Sequence, residues 1–232
     1  NCPYYIFEGL KIFQYPKLKW IHTGAAGVDK FMTEDFKKSE IILTNGKVLQ
    51  GIEIADHAIG LLLAFSRNIY QHVKKIDPKK ISRPIELNKK KCAIVGLGGI
   101  GLCISERLKV FGMSIDGYNN ELIPLVSFVD NFYSLRDLYS NINSYDVVIN
   151  ALPLTSKTKN FFNIKIFNKM KKNSIFINVS RGQVVNKNSF ENKKLIKKFK
   201  GIGLDVTDPE PLPKNSILNK SDNVILTHHT SG

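Results

Sequence analysis

The stretch CAIVGLGGIG at residues 92–101 decides the fold of this 232-residue chain. Its first four residues are apolar and predict a strand buried on both faces of a sheet. The glycine-rich residues that follow predict a tight turn. Apolar residues then recur at intervals of four, four and three positions, which is typical of one face of a helix: Ile100, Ile104, Leu108 and Phe111.

A G-x-G-x-x-G turn between a strand and a helix is suited to binding a dinucleotide. The first glycine permits the turn, the second lets the backbone approach a pyrophosphate, and the third lets the helix pack on the strand. The helix N-terminus adds free N–H groups and the positive end of the helix dipole. The sequence therefore predicts a cofactor site at Gly96, Gly98, Gly99, Ile100 and Gly101.

Later apolar runs at residues 147–149, 175–177, 202–204 and 224–226 have the same continuous character as the first strand. Strands in a parallel sheet look like this, and helical patterns such as 190–199 lie between some of them. The alternation predicts an α/β fold with a Rossmann-type, doubly wound parallel sheet.

The region before residue 92 has a different organisation. Short strands are expected at 19–21 and 41–43, around a loop at 22–29. A helix is expected from about residue 51 to 70, with Ile52 among its apolar positions, and a connecting loop follows. We interpret the first part of this region as part of a second, smaller α/β domain.

The composition is that of a globular protein, with 43% hydrophobic and 23% charged residues. The net charge of +14 arises from 34 basic residues, of which 29 are lysine and 5 are arginine. The lysines occur in runs without interleaved aromatic residues, whereas base recognition favours arginine. We therefore expect a solvated lysine surface and no nucleic-acid partner, with an electrostatic role toward an anionic partner as the alternative.

The three cysteines have no C-x-x-C spacing: Cys2, Cys92 and Cys103. This pattern argues against a disulfide framework and a metal site, and it indicates a reducing cytoplasm. The longest apolar run, residues 58–65, is far shorter than the ~20 residues that span a membrane.

Further motifs follow the glycine turn in a fixed order: NALPLT at 150–155, NVSRGQVV at 178–185, GLDV at 203–206, EPLP at 210–213 and HTSG at 229–232. Together with the turn they resemble the D-isomer-specific 2-hydroxyacid dehydrogenase family over nearly the whole chain. The resemblance implies hydride transfer between NAD(P)H and a small 2-oxo acid such as glyoxylate, hydroxypyruvate or pyruvate.

The residues themselves fit this chemistry. Arg181 offers a planar fork that can hold substrate oxygens and polarise a carbonyl. Histidine has an ordinary pKa of ~6.5, which suits His229 to reversible proton transfer. Glu210 would orient that ring and favour its protonated form. The family divides these catalytic roles in the same way, and glutamate rather than glutamine at 210 argues against a formate dehydrogenase.

The resemblance implies further contacts with the cofactor, with Asp205 orienting its carboxamide: Leu152, Pro153, Thr155, Val179, Ser180 and Asp205. It also implies that backbone N–H groups of the 22–29 loop bind the substrate carboxylate, at Ala25, Ala26 and Gly27. From the residues alone, an ordinary small-residue turn fits that loop equally well.

The choice between NAD and NADP depends on Asn119, where this fold usually has an acidic residue after the second strand. Asn119 does not repel a 2′-phosphate, and no adjacent Lys or Arg attracts one, so both cofactors stay open and NAD is favoured. Asp116 is expected inside the strand. Strand alternation should direct His228 and His229 to opposite sides, and Asp56 and His57 are expected to be structural.

The resemblance also divides the chain. Residues 1–50 are expected to be a partial substrate domain, 51–229 an interdomain helix with the NAD(P)-binding domain, and 230–232 the start of a return. The chain is expected to be truncated at both ends, cytoplasmic and homodimeric. An NAD(H)-sensing binding protein of the corepressor type is the alternative function, and phosphite oxidation is a related enzymatic one.

Overall fold

A computed structural model of the chain describes residues 16–121 and 126–232. The strands in these ranges form a two-stranded and a seven-stranded sheet. They are β1 Trp20–Thr23, β2 Ile42–Asn45, β3 Lys91–Val95, β4 Ser114–Asn119, β5 Asn131–Ser134, β6 Val147–Asn150, β7 Ile175–Asn178, β8 Gly201–Leu204 and β9 Val224–Leu226.

The α-helices lie between these strands, and short 3₁₀ turns join many of the elements. The helices are α1 Glu34–Lys37, α2 Gly51–Ser66, α3 Ile69–Val73, α4 Gly99–Val110, α5 Leu138–Asn141, α6 Ile164–Lys169 and α7 Lys193–Lys198.

The large sheet has the strand order β5-β4-β3-β6-β7-β8-β9, and every neighbouring pair is parallel. The chain order reverses direction between β3 and β6, so loops from both halves of the sheet meet above the carboxyl ends of these strands. The predicted doubly wound α/β fold is confirmed.

Both faces of the central strands are covered, which explains their continuous apolar runs. Phe176 of β7 packs with Phe162 and Phe167 on one face. On the other face, Ile175 and Ile177 join the cluster that α2 and α4 complete. The strands predicted at 147–149, 175–177, 202–204 and 224–226 are therefore confirmed, and their alternate side chains contribute to two cores.

The helical predictions need correction at three points. The helix expected at 51–70 ends at Ser66, and Asn68 follows in a left-handed conformation with φ of 59° before α3 begins. Ile52 and Phe111, which the sequence pattern predicts on apolar faces, are 58% and 36% exposed. Of the helix expected at 190–199, only Lys193–Lys198 is α-helical.

The small sheet pairs β1 with β2 in parallel, in the register Trp20 with Ile42. Its hydrogen bonding continues beyond the strands, because the Gly46 N–H donates to the Thr23 carbonyl over 2.9 Å. The side-chain amide of Asn45 donates to the carbonyl of Ala26. These contacts hold the loop at 24–29 over the carboxyl end of the small sheet.

Candidate active site

The glycine turn directly follows β3 and opens α4. Gly96 has a φ of +103°, and a Cβ there would lie 2.6 Å from the backbone of Ala151. A Cβ at Gly101 would lie 2.0 Å from the Gly96 carbonyl oxygen. These distances confirm why glycine is needed at both positions. A Cβ at Gly98 meets nothing within 4 Å, so the middle of the turn opens into free space at the N-terminus of α4.

Two asparagines at the ends of adjacent strands organise the next two loops. The Asn150 amide nitrogen donates to Asn178 Oδ1 over 2.9 Å and to Ser180 Oγ over 2.8 Å. Asn150 Oδ1 accepts from the Leu152 N–H, and Asn178 Oδ1 accepts from the Ser180 N–H. All these groups are buried, so the loops after β6 and β7 have a defined conformation.

The remaining predicted cofactor contacts on these loops differ in their exposure. The side chains of Leu152 and Val179 are buried in the two cores, so only backbone atoms there can contribute to a cofactor site. Pro153 and Thr155 are exposed, and the Thr155 N–H donates to Thr158 Oγ1 over 2.8 Å. Their contact with a cofactor stays a prediction.

Arg181 lies between the loop after β7 and the loop of the small sheet. Its Nε donates to Asp29 Oδ1 over 3.0 Å, and its Nη1 donates to the Ser180 carbonyl over 2.9 Å. An ideal Cβ on Gly27 would lie only 1.7 Å from Arg181 Nη2, so the backbone of Gly27 is in direct contact with the guanidinium. The structure thus brings together the predicted substrate loop and the predicted substrate arginine.

Asp29 is a residue that the sequence analysis did not assign to the site. It is the acidic residue that ends the 22–29 loop, and its carboxylate and the guanidinium of Arg181 are both largely buried. The local sequence contains that carboxylate but gives no sign that it meets a side chain 152 positions later. Asp29 and the Ser180 carbonyl accept one N–H each from Nε and Nη1, whereas a guanidinium carries five N–H donors.

His229 and Glu210 form the expected pair. His229 Nδ1 lies 2.9 Å from Glu210 Oε1, and both side chains are partly exposed. His229 is past the end of β9, with a φ of +56°, a left-handed conformation that residues with a Cβ rarely adopt. The expectation that strand alternation orients His228 and His229 is therefore wrong. Their roles stay predictions.

Asp205, at the end of β8, is fully buried and holds the His229 segment. Its carboxylate accepts from Thr227 Oγ1 over 2.6 Å and from the N–H groups of Thr230 and Ser231 over 3.0 and 3.2 Å. Burial favours the neutral acid, but the hydrogen bonds from Ser231, Thr227 and Thr230 outweigh it and keep the pKa of Asp205 below its usual value. Its predicted contact with a carboxamide stays a prediction.

Asn119 is expected directly after the second strand but is the last residue of β4, and its side-chain amide donates to the Glu121 carbonyl over 3.0 Å. Asp116 lies within the strand, where its carboxylate accepts from Tyr145 and Asn131 over 2.7 and 2.8 Å. The prediction that Asp116 is not at the strand end is confirmed.

Within 16–121 and 126–232, no group of three or more His, Cys, Asp or Glu residues is placed to hold a metal ion. Over the same ranges, no helix has the length and apolar character that crossing a membrane requires.

Comparison with known proteins gives a consistent family. Residues 59–231 match the model described as D-isomer specific 2-hydroxyacid dehydrogenase, NAD binding domain. A glyoxylate reductase of Pyrococcus horikoshii is 35% identical over 232 residues, covering 92% of this chain and 67% of that protein. A D-3-phosphoglycerate dehydrogenase of Methanocaldococcus jannaschii is 32% identical over 217 residues, covering 92% of this chain and 41% of that protein.

Solved structures agree on the fold. A D-isomer specific 2-hydroxyacid dehydrogenase from Xanthobacter autotrophicus Py2, in complex with NADPH and MES, superposes with a TM-score of 0.85 at 24% identity. The match covers 95% of this chain and 70% of that one. The chain spans between about two fifths and two thirds of the length of the two relatives named above.

Proposed function

This chain belongs to the D-isomer specific 2-hydroxyacid dehydrogenase family, and on that premise we propose that it catalyses hydride transfer between a nicotinamide cofactor and a small 2-oxo acid. The observation that carries the proposal is the placement of Arg181, Glu210 and His229. They follow the neighbouring parallel strands β7, β8 and β9, so their loops share the carboxyl edge of the sheet with the glycine turn after β3.

The glycine turn fits a dinucleotide. Gly98 faces open space, and the first N–H groups of the 12-residue helix α4 are available to a pyrophosphate. The buried asparagine pair, Asn150 with Asn178, holds the neighbouring loops in one conformation beside this space. When bound, the nicotinamide ring supplies or accepts the hydride.

Arg181 binds the substrate in this proposal. Asp29 engages Nε and the Ser180 carbonyl engages Nη1, which fixes the plane of the guanidinium. The remaining N–H groups can hold a carboxylate and draw electron density from the adjacent carbonyl oxygen. The small-residue backbone at Gly27 lies against the guanidinium of Arg181, which supports the assignment of Ala25, Ala26 and Gly27 as the carboxylate loop.

His229 holds the proton at Nε2 in this proposal. Glu210 accepts a hydrogen bond from Nδ1, so the carboxylate fixes the ring orientation and leaves Nε2 facing the substrate in this proposal. In reduction the proton passes from Nε2 to the developing alkoxide, and in oxidation the neutral ring accepts it back.

We propose glyoxylate, hydroxypyruvate or pyruvate as substrate and NAD(H) as the preferred cofactor. Relatives named glyoxylate reductase support the first choice. The second is supported by the absence of an adjacent Lys or Arg beside Asn119 and by Glu121 two residues later, because an acidic side chain there disfavours a 2′-phosphate.

The test is steady-state reduction of the three oxo acids by the purified full-length protein, with NADH and NADPH in parallel. We expect turnover that His229→Ala and Arg181→Ala reduce by at least ~100-fold, while the adjacent exposed His228→Ala serves as the matched control. Activity that survives both changes would refute the assignment. Binding of NADH without turnover by the unmodified protein would instead favour the sensing alternative.

A further inference from the structure

His57 makes a contact across the fold that the proposed reaction does not yet use. It lies on α2, and its Nε2 is 3.0 Å from Thr227 Oγ1 and 3.5 Å from Asp205 Oδ1. Thr227 comes directly after β9, 170 residues from His57 in the chain. The side chain is 21% exposed, so most of the ring is packed inside the molecule. The His57 side chain therefore links α2 to the segment that carries His229.

The chemistry of the three groups sets the direction of each hydrogen bond. An ionised carboxylate can only accept, so Thr227 must donate its one hydroxyl proton to Asp205 over 2.6 Å. The hydroxyl oxygen then has only lone pairs to offer His57. Nε2 of His57 must therefore carry a proton and act as the donor, which fixes the tautomer of the neutral ring.

Asp205 also binds the backbone around His229. Its backbone carbonyl accepts the His229 N–H over 2.8 Å, and its carboxylate accepts the N–H groups of the next two residues, Thr230 and Ser231. His229 itself has the left-handed φ of +56°. Because that conformation is unfavourable for a residue with a Cβ, the three N–H contacts contribute to stabilising it.

We propose that His57 is a positioning residue: through Thr227 it holds the Asp205 carboxylate in place, and through Asp205 it holds His229 in its left-handed conformation. The contacts that carry this role are those of the His57 ring with Thr227 and Asp205. The catalytic part of this inference depends on the proposed function, since it takes His229 to be the proton donor. The conformational part depends only on the contacts described.

Two substitutions separate the hydrogen bond of His57 from its packing. His57→Phe keeps a ring of similar size and removes the donor, whereas His57→Gln places an amide N–H at a similar reach. His72→Phe, at an exposed histidine of α3, is the matched control. Hydrogen exchange of the amides at 229–231 reports directly on their hydrogen bonds to Asp205. The kcat and the KM for NADH report on whether the reaction depends on those bonds.

In His57→Phe we expect faster exchange at 229–231 and a kcat lower by roughly 10- to 100-fold, with a smaller change in the KM for NADH. His57→Gln should restore most of the slow exchange at 229–231 and most of the kcat. His72→Phe should match the unmodified protein in both measurements. The proposal is overturned if exchange in His57→Phe stays at the unmodified rate, or if His57→Gln is as impaired as His57→Phe. If the unmodified protein shows no turnover, the proposed function fails, and the exchange measurement still decides the conformational part.

Discussion

Replacing Gly27 with alanine should disable the substrate arginine while leaving the fold nearly intact. The new Cβ would lie 1.7 Å from Arg181 Nη2 and 2.5 Å from Cζ, so the guanidinium has to move away. It is the far end of a flexible side chain, and its largely buried contact with Asp29 is the main interaction lost. The cost in stability should therefore be about 1.5–3 kcal/mol, the contribution of one hydrogen bond to a charged group.

The activity should fall as well, because the displaced fork can no longer hold the substrate oxygens. A hydrogen bond to a charged group contributes about 1.5–3 kcal/mol, which at ~1.4 kcal/mol per factor of ten is roughly a 10- to 150-fold loss in kcat/KM. Gly24→Ala is the matched control, since a Cβ at Gly24 meets nothing within 4 Å. The measurements are NADH oxidation with glyoxylate and a thermal melt. Equal kcat/KM in the two variants would refute the reasoning, as would a loss that only follows a lowered Tm.

Three further predictions concern the cofactor turn and the two carboxylates. Gly98→Ala should keep the Tm but weaken NADH binding about tenfold or more, because its Cβ enters open space that we expect to hold the pyrophosphate. Gly101→Ala should instead lower the Tm, since its Cβ would lie 2.0 Å from a backbone oxygen. Titration calorimetry measures the change in NADH affinity and thermal melts measure the Tm of each variant. A similar fall in Tm for Gly98→Ala and Gly101→Ala would contradict the prediction. The folded pKa of Asp205 is below that of the unfolded chain, so its carboxylate stabilises the fold above pH ~4 and that contribution is lost as the pH falls through the folded pKa. Asp205→Asn should show a smaller loss of unfolding free energy on acidification in urea titrations, and an unchanged pH dependence would count against it. Glu210→Gln keeps a hydrogen bond to His229 but removes its charge; for this half-exposed pair the reductive kcat should fall only about fivefold, and a loss as large as that of His229→Ala would show that the charge matters more.

The sequence predicts the central part of the fold well because buried parallel strands leave an unambiguous pattern. Strands β3, β6 and β7 are covered on both faces, so each is an apolar run. The edge strand β5, Asn131–Ser134, is short and half-exposed, and no such run marks it. The break at Asn68 likewise interrupts an apolar helix pattern without a glycine or proline to signal it.

The residues of the site likewise differ in whether a local sequence pattern marks them. Gly96, Arg181 and His229 are recognisable because each lies in a local motif whose chemistry requires that residue type. Asp29 and His57 are not recognisable, because their importance comes from contacts made by packing across 152 and 170 residues. Local sequence carries the identity of such side chains but not their partners.

The asparagine pair between β6 and β7 also bears on how the chain reaches this fold. Apart from Asn150 and Asn178, the two strands are wholly apolar, so a shift of two residues would still bury the same faces. Such a shift would separate the two amides and leave buried polar groups unpaired, each costing about 1–3 kcal/mol. The pair therefore selects one alignment among several that the apolar side chains alone would accept. Replacing either asparagine with valine should make misaligned, slowly correcting sheets accessible during folding.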